Sequence, residues 1–338
     1  MPRNEQTLEL ANFICRFGDK LVLLDLLEQV VLPAFRDPKL VRKYGFTSYK
    51  LIDVELVVLN KAVSTVGIVG RFVKDTFLTS EQVLDPEQGL IKRKESIRTS
   101  PSAMFLLLLD THRLLYVKET SDAPSLDTFN TTIERFLRDK HREFIDKTQK
   151  ERREARKVDA TLPVLRKREL FIQYPFPELN VVPIPSHETL TAFIGRYNTL
   201  KVVEVQLLGT NHDLDNDEFF AEVRKKKDNV GSARTSIRHS NPKGLEKTET
   251  TNQLAGVVDQ GNHLIKLDGK DTAGDRLRGN NEHFQVKTQI EALGREVKAA
   301  AKKMHDSFVT LVQNGTIRAS DVSDDIKTRL SAFIAQQP

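Results

Sequence analysis

Cysteine occurs once in the 338 residues, as Cys15, so no disulfide can close within the chain and no cysteine cluster is available for a metal. Long apolar runs are missing as well. The longest, "AMFLLLLD" at Ala103–Asp110, has the length of a strand, whereas a helix crossing a bilayer needs about 20 apolar residues. The opening "MPRNEQTLEL" lacks the charged-then-apolar order of a secretory signal. These absences predict a chain of the reducing cytoplasm with no membrane insertion of its own. Absent too are G-x-x-x-x-G-K-[ST], G-x-G-x-x-G, H-E-x-x-H and G-x-S-x-G, which removes the motif-borne phosphate-loop, dinucleotide, zincin and hydrolase chemistries. No cofactor, metal site or catalytic set is predicted.

What is present is basic charge, gathered in two places. The whole chain carries +5, with a pI near 9.1. Asp139–Arg168 holds 11 Lys/Arg against 6 Asp/Glu, and Arg224–Lys247 holds 8 against 2. These windows exceed the excess of the whole chain, so the remainder is slightly acidic. Such patches are the electrostatic footprint of a nucleic-acid binder, although a solvated helix face and a basic loop would look the same. At 29% charged and 39% apolar residues the composition is that of a globular protein, and the length allows two domains.

Hydrophobic periodicity supplies the elements. Leu8–Phe17 alternates as a strand, and Leu21–Phe35 has helical spacing with Pro33 near its end. Tyr49–Asn60 and Thr65–Thr79 read as strands, the second with Gly67 and Gly70 marking a bulge or a close approach. Ala103–Asp110 and Leu114–Thr120 flank a turn and read as a hairpin. Ser125 caps a helix from about Leu126 whose second half loses its apolar stripe and becomes a charged connector. A domain boundary is therefore expected near Val158: an N-terminal α+β domain, 1–158, and a C-terminal α+β domain, 159–338. Each is expected to be a mostly antiparallel sheet with helices on one face. In the second half, five prolines between Leu162 and Ser186 bar a regular central strand or helix. Leu200–Leu208 is a strand, and a helix capped by Asp215 or Asp217 ends in Arg224–Lys227 before an Asn229–Gly231 turn. Ala233–Ser240 is a strand, a short helix follows, and two strands surround a Gly-rich connection before the closing helices.

The basic segment "RKKKDNVGSARTSIRHSNPKG" (Arg224–Gly244) poses the functional question. Arg234-x4-His239 has the spacing of the arginine and histidine in HEPN-type ribonucleases, where the pair lies on a helix. Here it falls on an expected strand, where positions five apart lie on opposite faces. The spacing also recurs at Arg278 and His283. An Arg/His nuclease effector remains the alternative reading. The binding reading needs less: Arg234, Ser236 and Arg238 share one face of the strand beside Arg224, Lys225, Lys226 and Lys227, with Lys243 in the following turn. The connector adds Arg152, Arg153, Arg156 and Lys157. No aromatics are interleaved, so stacking on single strands is disfavoured and duplex DNA held through its phosphates is the expected partner. The acidic runs His212–Glu218 and Asp268–Asp275 lack the ligand spacing of calcium loops and read as cap and turn chemistry.

"HLIKLDGKDTAGDRLRGNNEHFQVKTQIEAL" resembles the C-terminal part of the RexA-like phage-exclusion family, with its strand, polar turn and second strand. "LKVVEVQLL…FFAEVRKKKDNV…IRHSNP" is similar to the preceding strand-helix-strand, and "SPSAMFLLLLDTHRLLYVKETSDAPSLDTFNTTIERFL" to the N-terminal hairpin and helix. The resemblance spans about two-thirds of the chain as an order of elements, with few identities. It implies a homodimeric, sequence-tolerant DNA-binding sensor in defence against phage, working with a separately encoded membrane effector. No residue-level motif comes with it.

Overall fold

The computed structural model describes residues 5–60, 65–87, 89–209, 218–232, 234–318 and 322–336. The elements run β1 (Glu5–Phe17), β2 (Leu21–Val22), α1 (Leu32–Arg36), β3 (Arg42–Tyr44), β4 (Thr47–Asn60), β5 (Thr65–Asp85) and β6 (Gly89–Thr99). Then come β7 (Ser102–Leu108), β8 (Arg113–Lys118), α2 (Leu126–Val158), α3 (Lys167–Gln173), β9 (Pro177–Pro183), α4 (His187–Gly195) and β10 (Tyr197–Leu207). The chain closes with α5 (Glu218–Asn229), β11 (Thr235–Ser240), α6 (Lys247–Gln260), β12 (His263–Asp271), β13 (Arg276–Asn280), β14 (Lys287–Glu291), α7 (Val297–Gln313) and α8 (Asp324–Ala335). The class is α+β, with antiparallel pairing throughout the described ladders. Among the described residues no helix is long and apolar enough to cross a membrane.

Ten of the described strands make one large sheet, with central order β14-β1-β8-β7-β5-β4-β3. Helices cover both of its faces, not the one expected. Odd-numbered residues of β7, such as Phe105 and Leu107, meet Phe129, Ile133 and Phe136 of α2 and Phe333 of α8. The even-numbered Met104, Leu106 and Leu108 meet Ala300, Met304 and Phe308 of α7. The physical reason lies in the uninterrupted run Ala103–Leu109: a strand with no polar alternation must be buried on both sides. Gly67 lets Leu106 pack where a side chain would stand, the close approach its position suggested.

Nor does a cut at Val158 separate the sheets. β9 pairs with β1 from Ala11↔Pro183 to Phe17↔Pro177, and β14 pairs with the start of β1 from Glu5↔Glu291 to Glu9↔Lys287. Both strands come from beyond the expected boundary, and β9 lies in the stretch where no central strand was expected. It is an edge strand whose prolines sit at its first and last positions, where a missing N–H costs least. The small sheet, β11-β10-β12-β13, lies wholly in the second half and covers one face with α4 and α6 through Phe193, Leu254, Val257 and their neighbours. Between the sheets lies a small apolar patch of Ile14, Val182 and Leu208. Beside it Asn12 Nδ2 donates to the Gly261 carbonyl at 2.6 Å and to Asn262 Oδ1 at 2.9 Å.

Two further expectations change. Leu21–Phe35 is not one helix: a 3-10 turn (Leu23–Leu26) and a π turn (Leu27–Val31) precede α1, where Pro33 occupies the first turn, which tolerates its missing donor. β5 continues past Thr79 and with β6 forms a two-stranded ribbon, Thr76–Asp85 against Gly89–Thr99. The cross-strand pairs Leu78/Ile97 and Leu84/Leu90 of this ribbon are exposed.

Candidate nucleic-acid interface

Period-two alternation sorts the small sheet. Val203, Val205, Ile265 and Leu267 point to the helices. The other face is polar, and its register is explicit: Glu204 lies between Arg238 and Lys266, Gln206 opposite Ser236, and Asp268 opposite Arg278. Arg238 Nη1 stands 3.5 Å from Glu204, while Arg276 and Arg278 reach Asp268 at 2.6 and 3.4 Å. The Arg276 guanidinium holds the Asp268 carboxyl below the usual carboxylate range, with Arg278 adding to the effect. Five cations, Arg238, Lys266, Lys270, Arg276 and Arg278, thus share this face with two carboxylates, and Lys266 and Lys270 have no ion pair among the described residues. The sequence reading missed Lys266, Arg276 and Arg278 as a group. Their alternation in "IKLDGK" and "RLRG" was the available signal. The Asp271 loop joining them is a turn: Asp271 Oδ1 accepts from the N–H groups of Ala273 and Asp275, both at 2.9 Å.

The expected site residues fall into three groups. Ser236 and Arg238 lie on the polar face of β11, and Arg234 immediately precedes that strand. Lys225, Lys226 and Lys227 end α5, where cations complement the carbonyl end of the helix dipole. Gly231, at φ +63°, supplies the left-handed residue that turns the chain toward Arg234. Lys226 is paired with Glu222 at 2.7 Å, and Lys225 is exposed. The Arg224 side chain, the proposed caps Asp215 and Asp217, and most of His212–Glu218 lie outside the described residues. Lys243 is exposed in a turn held by Asn241 Oδ1, which accepts from its N–H at 3.0 Å.

The connector cations form the third group, at the end of α2. Arg156 Nε donates to the Leu162 carbonyl at 2.8 Å, and Lys157 pairs with Glu154 at 2.7 Å. Arg152, Arg153, Arg156 and Lys157 are absent from the linings of the two cavities that hold Arg234 and the β11 residues.

A cleft runs between the polar face of the small sheet and the β1/β9 edge of the large one. Its larger part, about 800 Å³, is lined by Arg16, Glu178, Gln206, Lys227, Arg234 and Leu264, among others. A smaller part, about 280 Å³, continues past Asn180 and Leu264 to Lys266 and Asn280. His239 lines a different cavity, of about 710 Å³, with Ile237, Leu245 and Glu249. Arg234, before β11, and His239, on it, therefore open onto separate cavities. Cys15 is buried in the core of the large sheet, and burial pushes its thiol far above the ordinary range. No protein-family model matches this chain, and a search of curated proteins finds no relative.

Proposed function

We propose that the chain binds duplex DNA through its phosphates, with little sequence preference, as the sensor of an anti-phage defence system. The observation that carries the reading is the convergence of cations on one cleft. Arg234 and Lys227 enter it from the approach to β11 and the end of α5, and Arg238, Lys266, Arg276 and Arg278 stand on the adjoining sheet face. Side chains of this kind on a polar β surface suit a phosphate backbone rather than base edges. The defence role and a separately encoded membrane effector rest on the resemblance to the RexA-like family.

The same reading takes the chain as a homodimer. The apolar runs Leu21–Phe35 and Phe105–Leu109 give no support, because they are largely buried within the chain. The exposed apolar pairs of the β5–β6 ribbon do support it. Light scattering that finds only a 38.4 kDa species at micromolar concentration refutes the dimer.

Anisotropy titrations with a closed duplex minicircle, which has no strand ends, test the DNA reading. Neutralising about five phosphates gives a log-log salt slope of roughly −4 to −5, and a slope near zero refutes the reading. Alanine at Lys225, Lys226 and Lys227 together is expected to weaken binding alike on unrelated sequences.

A further inference from the structure

We propose that the cleft's larger cavity is a built site for a nucleotide-sized ligand that presents a phosphate. Its central feature is Arg16, on β1. Glu178 lies directly opposite Arg16 in the β1–β9 ladder, where a cross-strand ion pair would ordinarily form, yet the two make none. The guanidinium turns aside instead. Nη2 donates to the Asp19 carbonyl at 2.8 Å, the group lies against Gly209, and Nε is buried without a hydrogen-bond partner. Among the described residues the Asp19 carbonyl is the one acceptor that this five-donor side chain engages. A half-buried cation whose Nε lacks an acceptor, and which pairs with no carboxylate among the described residues, is stabilised by an anion that completes it.

The rest of the cavity fits that reading. Lys227 and Arg234 line it from the small-sheet side, and neither has an ion pair among the described residues. Glu178 and Asn180, two apart on β9, share one face and line the same space, offering an acceptor and an amide to hydroxyl or amino groups. At about 800 Å³ the space exceeds what a bare anion fills and lies within the range of small-ligand sites, roughly 300–1,000 Å³. Gly209 is part of the construction: a Cβ there would overlap the Arg16 guanidinium. The phosphate could come from a free nucleotide or from the phosphorylated end of a DNA strand, and the two sources are separable.

The test is calorimetric titration of the full chain with ATP, AMP, inorganic phosphate, and one oligonucleotide bearing either a 5′-phosphate or a 5′-hydroxyl. ATP or AMP is expected to bind with a Kd below about 1 mM if free nucleotides are the source. Preference for the 5′-phosphate oligonucleotide over its hydroxyl form identifies a strand end. Arg16→Gln and Gly209→Ala are each expected to weaken binding about tenfold or more, Gly209→Ala with all charges kept. Lys302→Ala, an exposed cation on α7, is expected to change nothing. Should Arg16→Gln fail to fold by circular dichroism, Lys227→Ala replaces it, with the same loss expected. The proposal is overturned if none of these phosphates binds below 1 mM, or if binding is indifferent to the folded cavity variants. Minicircle binding fails or survives separately, so loss of the DNA reading and loss of this site are distinguishable.

Discussion

His141 contributes to the pH dependence of stability. It is fully buried on α2, beside the rings of Phe17, Phe171 and Phe176 at centroid distances of 6.1, 5.9 and 5.2 Å. Its Nε2 lies 2.9 Å from the Tyr174 carbonyl and therefore carries the proton in the neutral ring, while Nδ1 is buried without a partner. Protonation would place a second N–H where nothing accepts it. Burial accordingly pushes the His141 pKa below its ordinary value; the carbonyl bond opposes this, and Arg142 adds to it. With the folded pKa depressed, the unfolded chain binds more protons as the pH falls below about 6.5, so this stability is complete above that pH and is lost on acidification. The loss between pH 7.5 and 5.5 has a ceiling of about 1.4 kcal/mol, the value for a ring that never protonates in the fold. His305, likewise lowered by burial, steepens the same limb, while Asp110, whose burial raises its carboxyl, opposes it at lower pH. His141→Phe isolates the contribution. It leaves the Tyr174 carbonyl without its partner, a pH-independent cost of about 1–3 kcal/mol. The stability gap to wild type is then expected to narrow on going from pH 7.5 to 5.5, by no more than about 1.4 kcal/mol. Urea melts followed by circular dichroism suit the measurement, since the chain has no tryptophan. A gap that stays constant across this range, or a His141 pKa measured by NMR above 6.5, refutes the reasoning.

Other outcomes follow from the same structure. A fragment ending at Val158 loses ten large apolar side chains from the two cores of the large sheet, Phe308 and Phe333 among them. At about 1.5–3 kcal/mol each this is roughly 15–30 kcal/mol, above the whole stability of an ordinary domain, so the fragment is expected to show no cooperative melt. Phe129→Ala empties the meeting point of Phe72, Phe105 and Tyr116, at ring distances of 5.4, 5.3 and 5.7 Å, and is expected to cost about 3–5 kcal/mol in urea melts; a loss under 1 kcal/mol refutes that packing account. His239→Ala is expected to shift DNA affinity by less than about 1 kcal/mol, because His239 lines another cavity. Degradation of DNA or RNA by the purified chain, lost in His239→Ala, would replace the binding reading with the nuclease one.

Elements held by local patterns were legible in the sequence. The Ser125 cap is present, with Oγ accepting from the Thr128 N–H at 3.2 Å, and the Ala103–Lys118 hairpin and the strands at Leu8, Tyr49 and Leu200 stand where alternation put them. The ribbon was missed because "GLIKRKESIRT" buries too little to show a period. Its turn was nevertheless readable, since Asp85 Oδ1 accepts from the Glu87 N–H at 2.9 Å and Gly89 takes φ +74°. β9 was hidden by its terminal prolines, and its partner lies some 165 residues away, a distance no local pattern spans. At the site, the Ser236/Arg238 face followed from period two alone. Arg16 could not be found that way, because its neighbours Gly209, Lys227 and Arg234 arrive from remote parts of the chain.

The pairing of β1 with β14 also fixes when the protein can be finished. Gln6 meets Ile290, so β1 waits for a strand made more than 280 residues after it. At about 5–20 residues per second that wait is on the order of 15–60 s. Meanwhile β7 and β8 can pair, but Met104, Leu106 and Leu115 have no cover until α7 emerges. For that interval the nascent chain carries an open apolar sheet face, so its yield in the cell depends on chaperone capacity and translation speed as well as on final stability.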